Sequence, residues 1–216
     1  MTPTRPSVVR PAVGSSGWSY PSWRPGFYAA GSRTDELLRL YAERLPAVEL
    51  NASGYRLPSA EQLARWAAQV PDGFRFAVKA PRLVLSRPEV VAERVRALGD
   101  RLGCVRVVLE SRRDDVLLDR LQTAFAGTRL ALDPRDESWT AADLAPGVVR
   151  VDDWDATGGW HYLRFREPPY DEGALAAIAS RLAPLVENGA DVFAFFRHED
   201  EPTAPLAALR LLELLD

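Results

Sequence analysis

Phe74-Arg75-Phe76-Ala77-Val78-Lys79-Ala80 alternates in character and reads as a strand, because successive strand side chains point to opposite faces. Beyond it, Pro88 suits the first turn of a helix, and Val91, Val95, Leu98 and Leu102 make its apolar stripe. Cys104–Glu110 then reads as a second strand. Residues 74–110 are thus one βαβ unit, which implies parallel strands with the helix packed outside.

The same unit repeats in both directions. Upstream, strands are expected at Val8–Gly14 and Ala47–Asn51. Helices are expected at Asp35–Leu45, with Leu37, Leu38, Tyr41 and Leu45 on one stripe, and at Glu61–Val70. Ser59 and Gln62 form a capping box for the second helix, and Leu63, Trp66, Ala67 and Val70 form its apolar face. Downstream, Leu117, Leu118, Leu121 and Phe125 mark a helix. Strands follow at Thr128–Arg135, Val148–Trp154, Trp160–Glu167 and Asp191–His198. A short helix is expected around Thr140–Leu144. Two more carry the stripes Leu175, Ile178, Leu182, Leu185 and Leu206, Leu209, Leu212, Leu215.

Eight strands, nearly all followed by helices, share 216 residues. Roughly 27 residues per unit suits a compact TIM-like (β/α)8 barrel. The expected organisation is one α/β domain over residues 7–216 behind a short disordered tail, residues 1–6. An open doubly wound sheet fits less well. Gly14-Ser15-Ser16-Gly17 lacks a third glycine and opens no helix, so it is no dinucleotide loop.

Composition narrows the classes further. Apolar residues make up 47% and charged residues 26%, which excludes wholesale disorder and collagen. A chain this long buries about 70% of its surface on folding, so its core needs no staple. One cysteine, Cys104, excludes a disulfide framework. A net charge of −3 argues against a surface that binds nucleic acid throughout. No stretch approaches 18 apolar residues, and Pro3, Pro6 and Pro11 interrupt the first thirty. The expectation is a cytoplasmic protein without a membrane partner.

In a barrel, chemistry sits at the C-terminal ends of the strands. Those ends carry Ser15 and Ser16, then Trp18, Tyr20 and Trp23; Glu49 and Asn51; Lys79 and Arg82; Glu110; Asp133 and Arg135; Asp152 and Asp153; Arg164 and Arg166; and His198 with Glu199 and Asp200. Charges there also serve packing and ion pairing. So many strands delivering charge to one end nonetheless imply a wet, polar mouth, because buried charges are costly unless paired.

Lys79 is the only lysine among 27 basic residues. Lysine can lose its proton or attack a carbonyl, and arginine can do neither; the competing reading is a snug ion pair with Glu49. Trp18, Tyr20, Trp23, Tyr55 and Trp139 could stack on sugars or bases, or plug the barrel top as packing. His198 could act as a general base, or ligate a metal with Glu49, Asp133 or Asp152, but no two histidines are paired at ligand spacing and no metal is expected. No G-x-S-x-G elbow supports a serine nucleophile at Ser15 or Ser16. Cys104 reads as a small buried hydrophobe.

Several runs together resemble the YecE-like family, a domain of unknown function (number 72). They are Gly14-Ser15-Ser16-Gly17-Trp18-Ser19-Tyr20-Pro21-Ser22-Trp23, Val48-Glu49-Leu50-Asn51, Tyr55-Arg56-Leu57-Pro58-Ser59 and Phe74 through Arg82. The second half matches more loosely. Asp133-Pro134-Arg135-Asp136-Glu137-Ser138-Trp139 looks like the family's Glu-x-Arg-His-x-Ser-Trp, with Asp136 where the histidine usually stands. Tyr162-Leu163-Arg164-Phe165 matches a Tyr-x-Arg run. Phe196-Arg197-His198-Glu199-Asp200 stands where many members have Phe-x-Asn-Asp. Glu110-Ser111-Arg112-Arg113 replaces a usual Gln-x-Pro-Pro. The resemblance implies a TIM-like barrel, names no reaction and names no cofactor.

The expected function is an enzyme acting on a small anionic substrate, phosphorylated or sugar-containing. Arg82, Arg135, Arg164 and Arg166 would hold the anion, with Asp133 beside them. Trp18, Tyr20, Trp23, Tyr55 and Trp139 would stack on its body. Glu49 and Lys79 would be the acid–base pair, with His198 as a further base and Asn51 orienting the substrate. A nucleic-acid binder or nuclease, and a non-catalytic ligand-binding module, are the alternatives.

Overall fold

Every strand pairing among the described residues is parallel. The computed structural model describes residues 11–51, 57–157 and 159–216. The expected tail at residues 1–6, the start of the first expected strand and Tyr55 lie outside them. The strands are β1 (Ala12–Ser16), β2 (Ala47–Asn51), β3 (Arg75–Lys79), β4 (Leu102–Leu109), β5 (Leu130–Pro134), β6 (Val148–Arg150), β7 (Trp160–Phe165) and β8 (Asp191–Phe196). They follow the order β6-β5-β4-β3-β2-β1-β8-β7. The two edges meet where Val151 bridges to Tyr162, so the sheet is a nearly closed (β/α)8-type barrel.

Six helices coat it among the described residues: α1 (Leu37–Ala42), α2 (Ala60–Ala67), α3 (Pro88–Val95), α4 (Asp115–Ala124), α5 (Glu172–Glu187) and α6 (Thr203–Leu215). None is long and apolar enough to cross a membrane. The N-cap of α2 forms as its sequence predicts, with Ser59 Oγ accepting from the Gln62 amide. The expected stripe through Leu102 breaks earlier. Gly99 adopts φ 54°, a left-handed geometry that ends the turn after α3, and Leu102 opens β4 instead. The helix expected at Thr140–Leu144 is replaced by a single 3₁₀ turn, Glu137–Trp139. Strand β6 is also shorter than expected, because the chain leaves extended geometry at Asp152, which has φ 63°.

Two apolar layers result. The larger lies between the strands and the helices. The smaller fills the barrel lumen, where Ala12, Ala47, Ala77, Cys104 and Ala131 face Trp160, Tyr162, Phe193 and Phe195. Small side chains on β1–β5 leave room that the aromatics of β7 and β8 occupy, so the barrel is packed and is not a pore. Cys104 is fully buried there, and burial pushes its thiol up. Gly14 is the tightest point. A Cβ there would lie 1.9 Å from the Ala47 carbonyl oxygen and 2.9 Å from Tyr41 Oη.

Candidate active site at the barrel mouth

Strand register delivers the polar side chains. Ser16 pairs with Glu49 across β1 and β2, while Asn51, Lys79 and Arg106 stand side by side on β2, β3 and β4. Arg106 is the residue that a search of strand ends passes over, since it sits inside β4. Its sequence signal is a charge between Val105 and Val107 in an otherwise apolar strand.

Arg106 organises the site. Its Nη1 donates to Glu49 Oε1 at 2.7 Å, and its Nε and Nη2 both donate to Asp133 Oδ2, the first at 2.9 Å. Arg106 is 2% exposed and Glu49 is 0% exposed. Burial works against the guanidinium charge, but Glu49, Tyr162 and Asp133 outweigh it and raise its pKa. Arg164 Nε lies 3.2 Å from Glu49 Oε2, and Arg164 Nη2 donates to Ser16 Oγ at 3.1 Å. Arg135 Nη2 donates to Asp133 Oδ2 at 3.0 Å, and Arg166 Nη2 stands 3.8 Å from the same oxygen. Arg166 also pairs with Asp152, whose Oδ1 accepts the Arg164 amide at 2.6 Å. Glu49 is therefore held between two arginines.

Lys79 takes no part in these pairs. Among the described residues no carboxylate oxygen lies within 4 Å of its ammonium, so the snug ion pair with Glu49, the competing reading of Lys79, does not form. Burial first, then Arg106, hold its pKa below the usual lysine range, although Glu49 pulls the other way. With Ala80, Pro81, Arg82, Val108 and Glu110 it lines a cleft of about 140 Å³. Arg82 at the rim of that cleft pairs with Glu110, and both are exposed.

His198 lies against Tyr20, ring on ring at 4.7 Å and 15°. Burial, then Arg164 and Arg197, lower its pKa from the ordinary histidine value. Burial and Glu49 push the Tyr20 hydroxyl up to about 12, and that hydroxyl donates to the Ser16 carbonyl at 3.2 Å. Several polar atoms here are sealed from solvent without a hydrogen-bond partner: Glu49 Oε2, Arg164 Nε, Arg166 Nη2, His198 Nδ1 and Tyr162 Oη.

The tryptophans expected to stack on substrate are packed into the protein. Trp18 meets Trp66 edge-on at 5.0 Å under the helix layer. Trp23 is fully buried, and its Nε1 donates to the Glu199 carbonyl. Trp139 is 1% exposed and donates to the Ser111 carbonyl. Among the described residues of that set Tyr20 is the partly exposed ring, and Asn51 is half-buried at the end of β2. Ser15 Oγ bonds Tyr41 and the Gly17 carbonyl, and Ser16 Oγ bonds Arg164 and the Phe196 carbonyl, so neither serine engages His198. Asp136 accepts from the Ser138 amide and caps the 3₁₀ turn. Among the described residues no three His, Cys, Asp or Glu side chains gather as a metal-ligand set.

The family described as "Protein of unknown function DUF72" matches residues 12–216. The protein called UPF0759 protein YecE from Escherichia coli (strain K12) is 36% identical over 73 residues, covering 33% of this chain and 24% of that protein. The chain thus aligns with about a quarter of the length of that curated relative. Two solved structures share the fold. A DUF72 family protein from Enterococcus faecalis V583 superimposes with a TM-score of 0.74 at 16% identity, covering 94% of each chain. A DUF72 family protein from Thermotoga maritima MSB8 gives 0.71 at 19% identity, covering 94% of this chain and 98% of the other.

Proposed function

The chain belongs to the DUF72 family, and from that premise we propose that it is a cytoplasmic enzyme for a small anionic substrate, phosphorylated or sugar-containing, bound at the C-terminal ends of its strands. One observation carries this reading. Four arginines, Arg106, Arg135, Arg164 and Arg166, converge on three carboxylates, Glu49, Asp133 and Asp152, and Lys79 stands in register beside Arg106 without a carboxylate partner among the described residues. Positive charge left over in a half-buried mouth is unfavourable until an anion neutralises it. Arginine forks also suit the planar oxygen pairs of phosphate and carboxylate.

The roles divide by position. Glu49 is a positioning residue that orients Arg106 and Arg164, because both of its oxygens face guanidinium groups. Lys79 and His198 are the groups for proton transfer, since burial favours the neutral form of each. Tyr20 holds the His198 ring in place.

A thermal-shift panel tests the reading. Sugar phosphates, carbonyl acids, divalent metals and short oligonucleotides are compared on wild type, Lys79→Met and Arg166→Gln. A ligand at 100 times its dissociation constant adds about 2.7 kcal/mol, which is several degrees for a domain of this size. A small anion should stabilise wild type more than either variant. The reading is overturned if no anion shifts wild type. A strongly salt-dependent response to oligonucleotides alone would point to phosphate-backbone binding instead. Binding without turnover in every reaction assayed would favour a ligand-binding module.

A further inference from the structure

Asp133 is bonded unevenly. Arg106 Nε, Arg106 Nη2, Arg135 Nη2 and Arg166 Nη2 all approach the same oxygen, Oδ2. The other oxygen, Oδ1, has no hydrogen-bond partner among the described residues. The Asp133 side chain is 6% exposed. Two guanidiniums thus anchor one side of the carboxylate, a third stands 3.8 Å from it, and the other side is left as a charged acceptor at the end of β5.

An acceptor of this kind repels an oxyanion and attracts a hydroxyl. Beside it stand the donors Arg135 and Arg166, with Lys79 two strands away on β3, and all three attract an oxyanion. We infer that the mouth reads a ligand bearing a hydroxyl close to its oxyanion, such as a hydroxylated phosphate monoester, with Asp133 Oδ1 accepting from the hydroxyl. The inference rests on the anionic-substrate reading above and narrows it. It makes Asp133 the residue that distinguishes a polyol phosphate from a bare alkyl phosphate.

The Asp133→Asn change separates this role from simple charge. Every group facing Oδ2 is a donor, so the asparagine carbonyl must turn towards the arginines and its NH2 towards the mouth. The charged acceptor is then lost, while a negative charge that repels phosphate is removed. Calorimetric titration of inorganic phosphate, ethyl phosphate and glycerol 3-phosphate reads both effects. Wild type should bind glycerol 3-phosphate about tenfold tighter than ethyl phosphate, the worth of one hydrogen bond to a charged group. In Asp133→Asn the two should bind equally, and inorganic phosphate should bind as well as before or better. If Asp133→Asn does not fold, Asp133→Glu keeps the charge and moves the oxygen by one methylene, and it should likewise lose the preference. Equal binding of the two esters by wild type, or a preference that survives in the variant that folds, overturns this inference and leaves the anion site standing. No phosphate binding by wild type overturns the anion site as well.

Discussion

Arg106 reaches Glu49 at 2.7 Å across an intervening strand, since β3 lies between their strands. Ala77, in register with Glu49, has only a methyl group to place between them. The pair is the floor of the mouth, and the contacts of Arg135 and Arg164, with one of those of Arg166, are built on Glu49 or on the second partner of Arg106, Asp133.

Removing half of a buried pair strands the other half. Arg106→Met should therefore destabilise the fold by about 3–5 kcal/mol, because the buried carboxylates of Glu49 and Asp133 each lose their nearest cation. Adding Glu49→Leu to it should recover part of that loss. Urea unfolding of the two single variants and the double variant checks this, and a cost below about 1 kcal/mol for Arg106→Met would mean that the network carries little stability.

Lys79 should behave in the opposite way. Its folded pKa lies below the unfolded value, so the unfolded chain binds more protons between the two. Its contribution to stability is present above pH 10.5 and is lost as pH falls through the folded pKa. Lys79→Met should then be at least as stable as wild type near neutral pH, with the difference shrinking as pH rises towards 10.5. Melting temperatures of both proteins across pH 7 to 10 give the answer, and a sharp loss in the variant at pH 7 would reveal an ion-pair role instead.

His198 should titrate below 6.5, because burial and two nearby arginines disfavour its imidazolium. The part of stability that depends on it is intact above 6.5 and is lost as pH falls through its folded pKa. Proton NMR follows the ring directly, and the His198 signal is the one absent in His198→Gln. Tyr20→Ala removes the stacked ring and should move the titration up towards 6.5; an unchanged midpoint would separate Tyr20 from the histidine's environment.

The barrel seam offers a test of backbone strain. Asp152 adopts φ 63°, donates its amide to the Tyr162 carbonyl and accepts the Arg164 amide. Asparagine tolerates that backbone geometry and keeps a side-chain acceptor, whereas alanine does neither. Asp152→Ala should cost about 1–3 kcal/mol and Asp152→Asn less. Chemical denaturation ranks them, and equal costs would show that neither the geometry nor the side-chain acceptor matters.

Periodicity and punctuation carry most of the fold in the chain itself. The alternation at Phe74–Ala80, the cap at Ser59 and the recurring apolar stripes each depend on neighbours a few residues away, so they can be read without a partner. The same holds for the placement of Glu49, Lys79, Asp133 and Arg164 at one end of the barrel, which follows from strand ends alone. What cannot be read that way is who pairs with whom. Arg106 meets Glu49 at a separation of 57 residues and Asp133 at 27. Glu49 therefore turns to arginine, and among the described residues Lys79 is left without a carboxylate, an outcome set by strand register and side-chain reach inside the lumen. The indoles of Trp18, Trp23 and Trp139 suit a ligand surface and a core equally well in sequence; packing against distant rings and carbonyls sends them inwards. Local propensity acts over one turn or one strand, whereas burial and charge pairing are settled only when the barrel brings distant strands together.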